Sequence, residues 1–228
     1  MICPSCEHEH IVKPSATANM TVSTFSFAQK IFPFLGYAVG TYGRGQVTNK
    51  TVYFAARQLE SELRAKDWQP ANIDEVGEVL SNATWELLKQ DLGEMEDKED
   101  DWKTLGLQVV GYEDSEPVTL EIDIGKNISV QKHSEIGMTV SGQNEIAVTM
   151  WKLTQDFYQS EPALPLFSLQ DAIDYAEFLI ATTAGVQRFS NTQAGVGGEI
   201  DIAFVTPFDG FKWIKQKALG RIIGGTND

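Results

Sequence analysis

A predicted β-hairpin near the end of the chain constrains the fold more than any other stretch of the sequence. After a glycine pair at residues 197–198, large apolar residues alternate with other types over residues 200–205, which is the period of a half-buried strand. Residues 208–210 read Phe-Asp-Gly and predict a tight turn, because glycine after aspartate tolerates positive φ. Residues 211–214 form an aromatic return strand. The chain therefore contains antiparallel sheet.

The periodicity of the remaining sequence predicts strands and helices in alternating blocks. Thr48 is expected to cap the first helix and Ser168 the last, since both hydroxyl groups can accept a hydrogen bond from the first helical turn. Two blocks of strands separated by pairs of helices indicate an α+β fold, in which two antiparallel sheets are sandwiched between helical layers. The predicted strands lie at 21–27, 30–34, 35–40, 105–112, 117–123 and 136–140, and the predicted helices at 48–66, 73–90, 144–155 and from 168 to about 185.

Charge and composition disfavour several classes of partner. The formal net charge is −14 and the pI is near 4.6, which disfavours nucleic acids and anionic membranes because both attract basic surfaces. No apolar run approaches the roughly 18 residues that span a bilayer, and residues 1–10 lack the pattern of a signal peptide. Two cysteines are too few for a disulfide framework. We therefore expect a cytoplasmic protein that binds neither nucleic acid nor membrane.

Four local motifs resemble the proteasome-like N-terminal-nucleophile (Ntn) hydrolases, a family that includes proteasome β subunits and bacterial two-component proteases. Residues 29–32 (Gln-Lys-Ile-Phe), 38–43 (Ala-Val-Gly-Thr-Tyr-Gly) and 140–142 (Val-Ser-Gly) resemble successive motifs of that family. Residues 188–213, which contain Gly-Gly-Glu-Ile-Asp-Ile-Ala, resemble its closing segment. The resemblance covers roughly residues 21–216 and implies the four-layer αββα sandwich of Ntn hydrolases. It divides the chain into a divergent segment at 1–20, an Ntn hydrolase-like domain at 21–220 and a flexible tail at 221–228.

The resemblance also implies an activity and a site. In active members an N-terminal threonine attacks a peptide carbonyl, and its own α-amine acts as the general base. Lys30 occupies the position of the lysine that assists electrostatically, Gly40 that of the oxyanion glycine and Ser141 that of a supporting serine. The protein is thus expected to be a threonine-type peptidase relative that acts on peptides or proteins without metal or cofactor. Its helical layers would associate identical copies into a ring.

The sequence departs from the family pattern at the nucleophile. A threonine would be expected about thirty residues before Lys30, beyond Met1. Phe189 follows Arg188 where the family has an aspartate. Three explanations stay open: the true start lies upstream, the protein is a non-catalytic ring-forming subunit with the same fold, or Cys3 becomes an N-terminal nucleophile after removal of two residues.

A separate pattern at the start of the chain could bind a metal. Cys3 and Cys6 have the spacing of a zinc knuckle, and His8 and His10 could complete four ligands. All four candidates fall within eight residues, whereas structural zinc sites close a longer loop between their two pairs. The competing interpretation is a tail with incidental cysteines and histidines, and we predict no metal for the folded domain.

Overall fold

The computed structural model describes residues 29–48, 50–92, 103–190 and 195–217. The predicted strand at 21–27, the segment 1–20 with its zinc candidates and the tail 221–228 lie outside these residues. The elements in chain order are β1 (Ile31–Phe34), β2 (Tyr37–Gly43), β3 (Gln46–Val47), β4 (Lys50–Thr51), α1 (Val52–Ala65), α2 (Ile73–Leu92), β5 (Lys103–Glu113), β6 (Glu116–Gly125), β7 (Ile128–His133), α3 (Glu145–Tyr158), a short 3-10 helix (Leu164–Leu166), α4 (Leu169–Phe189), β8 (Ile202–Thr206) and β9 (Gly210–Lys215).

A five-stranded antiparallel sheet in the order β1-β2-β5-β6-β7 organises the described residues. Its register places Phe32, Val39, Val109 and Leu120 side by side across four strands, and all four are fully buried. Helices α1 and α2 cover this apolar face. At Gly77 of α2 a Cβ atom would lie 2.6 Å from Leu120 Cδ1, so the missing side chain lets the helix pack closely on the sheet.

The first two helices follow the prediction, with one correction at a cap. The α1 helix begins at Val52, and Thr51 is its N-cap because the Thr51 hydroxyl accepts a hydrogen bond from the Phe54 N–H at 3.2 Å. The predicted cap, Thr48, lies instead in the turn between β3 and β4 with φ of 58°. Pairing of β3 with β4 thus places Lys50 and Thr51 in a strand, although the helical pattern predicted them to be part of α1.

The predicted strand at 136–140 is wrong, and a strand was missed just before it. Residues 136–140 have no regular secondary structure, whereas Ile128–His133 forms β7 at the edge of the sheet. Most of β7 is exposed and polar, so its side chains carry little of the alternation that identifies half-buried strands. The apolar residues of 136–140 line a pocket instead.

The second half of the protein contains a helical pair and the C-terminal hairpin. Ser168 caps α4 as predicted, in a reciprocal capping box with Asp171. The predicted inner face of α4 is correct only in part: Leu179 and Thr183 are buried, but Leu169 and Ile180 are exposed.

The hairpin of β8 and β9 is confirmed, and Gly210 takes the positive φ of 65° that the turn requires. It packs against β2 and β5 of the large sheet. Helices and antiparallel sheets thus confirm the α+β class. Across the described ranges, no helix is both long enough and apolar enough to cross a membrane.

Candidate functional site

A polar surface lies on the face of the large sheet opposite α1 and α2. Strand alternation directs Gly40 and Gln108 to this face, where they are direct partners in the pairing of β2 with β5. Glu121 of β6 faces Gln108 in the next ladder. The apolar residues between these positions point into the core, so the same three strands supply both the core and the polar surface.

Gln108 joins two of the residues that the sequence predicted for the site. Its Nε2 donates to Ser141 Oγ at 2.6 Å, and Ser141 Oγ donates to Glu121 Oε1 at 2.5 Å. A Cβ built on Gly40 would lie 3.8 Å from Gln108 Cβ, so the glutamine stem packs beside the glycine. The Ser141 hydroxyl is therefore held between a fixed donor and a fixed acceptor, next to the strand that carries Gly40.

Tyr42 extends the same network along β2. Its hydroxyl donates to Asp123 Oδ1 at 2.9 Å. Burial raises the pKa of the Tyr42 phenol well above its usual value, and the hydrogen bond to Asp123 and the negative charge of that carboxylate raise it further. Gly106 makes room for the ring, because a Cβ there would lie only 1.8 Å from Tyr42 Cζ. Tyr42 thus acts as a neutral hydrogen-bond donor.

Lys30 immediately precedes β1 and lies beside the strand that carries Gly40. Its carbonyl oxygen accepts a hydrogen bond from the Thr41 N–H at 2.8 Å, and Ile31 pairs with Gly40. The residue as a whole is exposed, yet partial desolvation of the ammonium lowers the Lys30 pKa, and the positive charge of Lys217 lowers it further. Within the described residues the Lys30 ammonium makes no ion pair.

Lys217 itself is held by Asp201. Lys217 Nζ lies 3.2 Å from Asp201 Oδ2, and the Lys217 N–H donates to Asp201 Oδ1 at 2.8 Å. The two side chains are only 11% and 5% exposed. This pair closes the open end of the hairpin, and it sets a fixed positive charge near Lys30.

The polar surface continues into an open pocket of about 360 Å³ at β5, β6 and β7. His133 and Glu135 contribute polar side chains to its wall, and Ile136 and Met138 contribute apolar surface. His133 Nε2 lies 4.0 Å from Glu121 Oε2. Since Glu121 stands between the histidine and Ser141, the three side chains do not form the serine–histidine arrangement of a hydrolytic triad. No metal-binding cluster of histidine, cysteine or carboxylate side chains occurs within the described ranges.

The site predicted from the sequence did not include Gln108, Glu121, Asp123 or Tyr42. A signal was present in residues 120–124, which read Leu-Glu-Ile-Asp-Ile, because two carboxylates alternate there with buried apolar residues. Such alternation on a central strand places both acids on one face, where each needs a partner. The predicted residues Gly40 and Ser141 are brought together through Gln108. Lys30 is adjacent to them through the backbone of β1 and β2.

Comparisons with known proteins add no relative. No protein-family model matches the chain, and no curated protein matches its sequence significantly.

Proposed function

We propose that the protein is a proteasome-like Ntn hydrolase relative with a four-layer αββα sandwich, related to threonine-type peptidases. One observation carries the proposal. Lys30, Gly40 and Ser141 are far apart in the sequence, yet they lie at neighbouring positions around β1, β2 and Gln108. These are the three positions that the family resemblance identifies as catalytic. The packing of the β8–β9 hairpin against β2 and β5 also supports a second sheet layer.

Each residue has a distinct role in the proposed site. The Gly40 N–H would donate to the oxyanion that forms when a nucleophile adds to a peptide carbonyl. The Lys30 ammonium would assist electrostatically, and partial desolvation lowers the pKa of Lys30 below that of an ordinary lysine. Ser141 would support this arrangement through its hydrogen bonds to Gln108 and Glu121. The nucleophile and its α-amine base would come from a processed N-terminal residue outside the described ranges, and peptides or proteins would be the substrates.

The test is covalent labelling of the protein purified from its natural source. A peptide epoxyketone requires both a nucleophilic side chain and a free α-amine, so it reports an N-terminal nucleophile specifically. We expect an intact-mass increase of one inhibitor per chain, located at the first residue. Lys30→Ala should slow labelling by at least about tenfold, whereas Lys66→Ala, on the exposed end of α1, should leave it unchanged. An unlabelled chain that begins at Met1 would refute catalysis.

A second candidate function is a non-catalytic, ring-forming subunit with the same fold. It is favoured by the exposed large apolar side chains on the α3–α4 layer, which include Phe157 (82% exposed) and Phe189. We expect light scattering to show a particle of several copies, which Phe157→Asp dissociates. Phe54→Asp on α1 is the matched control, because Phe54 is also exposed (57%) but lies on the other helical layer. A monomeric wild-type protein would overturn this candidate.

A further inference from the structure

A groove of about 300 Å³ lies between α2 and β7, on the side of the large sheet that carries the helices. Its sheet wall is apolar and consists of Leu120 of β6 with Ile128 and Val130 of β7. Val130 is 52% exposed, although Ile122, its direct partner in the sheet, is fully buried. Helix α2 therefore covers β6 but leaves apolar surface of β7 open to solvent.

The helix wall of the groove consists of short side chains. Gly77 and Ser81 are buried one turn apart on α2, and Asn82 lies exposed beside them. The Ser81 hydroxyl donates to the carbonyl oxygen of Glu78 in its own helix, so it needs no partner from outside. Because no bulky side chain of α2 fills the space above Val130, the groove can accommodate side chains of another segment.

The outer edge of β7 borders the groove. Within the described residues β7 pairs only with β6, so its other edge presents backbone N–H and C=O groups that can pair with a further strand. A lysine on an edge strand normally resists such pairing, because its charge must stay hydrated. Lys132 is instead held on the helix side of the sheet, where its Nζ lies 2.6 Å from Asp74 Oδ2 and 3.0 Å from Glu113 Oε2. The edge therefore lacks the protection that a free lysine would give.

The rim of the groove is acidic. Asp74 and Glu78 lie one turn apart on α2, and both are exposed. Lys132 binds Asp74 and Glu113, whereas the Glu78 carboxylate makes no ion pair with any described residue. These three carboxylates thus outnumber the one ammonium group that they surround. An acidic rim beside an apolar groove favours a partner that combines apolar side chains with positive charge.

The same charge argues against a second copy of the chain as the occupant. Pairing of two β7 edges would bring the acidic rim of one copy against that of the other, and like charges that face each other across an interface are unfavourable. The formal net charge of −14 adds a general repulsion between copies. The chemistry of the groove therefore indicates a basic segment from a different protein.

We propose that the outer edge of β7 and its groove bind an extended basic segment of another protein, which adds a strand to the large sheet. Alternate side chains of the segment would point towards α2. Apolar side chains among them would contact Ile128 and Val130, and an arginine or lysine between them would reach Glu78. This surface lies on the opposite side of the sheet from the polar surface described above. Binding therefore does not depend on the proposed peptidase function.

The experiment is an NMR titration of the full-length protein with a synthetic heptapeptide. Threonine occupies its odd positions, and valine, arginine and valine occupy its even positions, so that these three side chains share one face of a strand. We expect the amide signals of residues 128–133 to shift. Replacing the arginine of the peptide by glutamate should weaken binding at least about tenfold, and so should Glu78→Lys. Glu62→Lys makes the same change of charge on the exposed surface of α1 and should leave Kd unchanged.

Methylation of the peptide backbone tests the strand pairing itself. In an added strand, alternate N–H groups point towards β7 and the others towards solvent. Two peptides that each carry one N-methyl group, either on the arginine or on the threonine after it, should therefore differ at least about tenfold in Kd. Equal affinity of the two peptides would refute strand addition.

Three further outcomes would overturn the proposal. Unchanged β7 signals at about 1 mM peptide would show that the edge binds no such segment. Binding that survives both Glu78→Lys and the replacement of arginine by glutamate would contradict the role of charge. Shifts of the β7 signals with protein concentration, in the absence of peptide, would assign the edge to a second copy of the chain.

Discussion

The two halves of the molecule are stabilised in different ways. Among the described residues, the buried apolar side chains lie in the large sheet, β3, α1 and α2, except Ala147 and Leu179, which belong to the α3–α4 pair. In the first half, strand register alone aligns fully buried side chains across the sheet. In the second half, apolar residues such as Phe178 and Val186 stay exposed.

Polar contacts hold the second half together, where few apolar side chains are buried. Asp201 and Lys217 form a nearly buried ion pair at the hairpin, and Gln187 Oε1 accepts from the N–H groups of Gly195 and Val196 at 2.9 Å. Such contacts fix geometry but contribute less net stability than the burial of large side chains. The comparison indicates that the first half is stabilised mainly by buried apolar side chains, whereas polar contacts have a larger share in the second half.

The sharpest test of this difference is a matched pair of phenylalanine truncations. Phe32→Ala in the fully buried core should lower the free energy of unfolding by about 3–5 kcal/mol. Phe178→Ala on α4, where the side chain is 48% exposed, should cost less than about 1 kcal/mol. Urea denaturation measures both values. An equal loss of unfolding free energy at the two positions would contradict the difference between the two halves, since it would mean that this face of α4 is covered in solution.

Removal of the nearly buried ion pair between Asp201 and Lys217 should lower the free energy of unfolding nearly as much as Phe32→Ala does. Asp201→Ala leaves Lys217 with an uncompensated charge in a nearly buried position, so we expect a loss of about 3 kcal/mol by thermal or chemical denaturation. The control is Glu177→Ala, which removes the exposed pair with Lys215 and should have no measurable effect. A negligible effect of Asp201→Ala would show that polar contacts do not stabilise this half.

A pair of glycine substitutions contrasts the polar face of the sheet with α4. At Gly106 the new Cβ would collide with the Tyr42 ring, so Gly106→Ala should destabilise by about 1–3 kcal/mol. At Gly185, inside α4, nothing lies within 4 Å of the added atom, and Gly185→Ala should stabilise by about 0.5–1 kcal/mol through helix propensity. Differential scanning calorimetry would measure the opposite shifts in Tm. Shifts of the same sign would contradict the described packing.

The smallest expected effect concerns the cap of α4. Ser168→Ala should cost about 1 kcal/mol near neutral pH. Hydrogen bonds from the Ser168 hydroxyl and N–H lower the pKa of Asp171 below its ordinary value of 3.8. The folded state therefore binds fewer protons than the unfolded state in this range, and the stabilisation is present above pH 3.8 and lost as the pH falls through the folded pKa. The difference in the free energy of unfolding between wild type and Ser168→Ala should become smaller in acid. A difference that does not change with pH would refute the coupling between the cap and the protonation of Asp171.

Local signals predicted much of the fold. The turn at Gly210, the start of α2 at Ile73 and the Ser168 cap each depend on a few adjacent residues, and all three are confirmed. Errors arose where pairing with a neighbouring strand decided the outcome. Lys50 and Thr51 pair as β4 with β3 although the predicted helix includes them, and β7 forms because β6 offers an edge.

The candidate site was predictable only as a set of separate residues. Gly40 and Ser141 were identified from motifs, but nothing local to either residue indicates that Gln108 connects them. Register across β2, β5 and β6 creates that connection, and register depends on the whole sheet. The proposed catalytic role of these residues remains a prediction until the covalent labelling is performed.

The Tyr42–Asp123 hydrogen bond has an optical consequence. A phenol in water ionises near pH 10 and then absorbs at longer wavelength, whereas the raised pKa of Tyr42 keeps its phenol protonated at that pH as long as the sheet is folded. Alkaline titration would therefore leave part of the tyrosine absorbance unchanged until the polar face opens. Tyr42 therefore contributes an intrinsic absorbance signal from the surface between Gly40 and Ser141, beside the signals of Tyr37 and Tyr175, whose pKa values burial also raises.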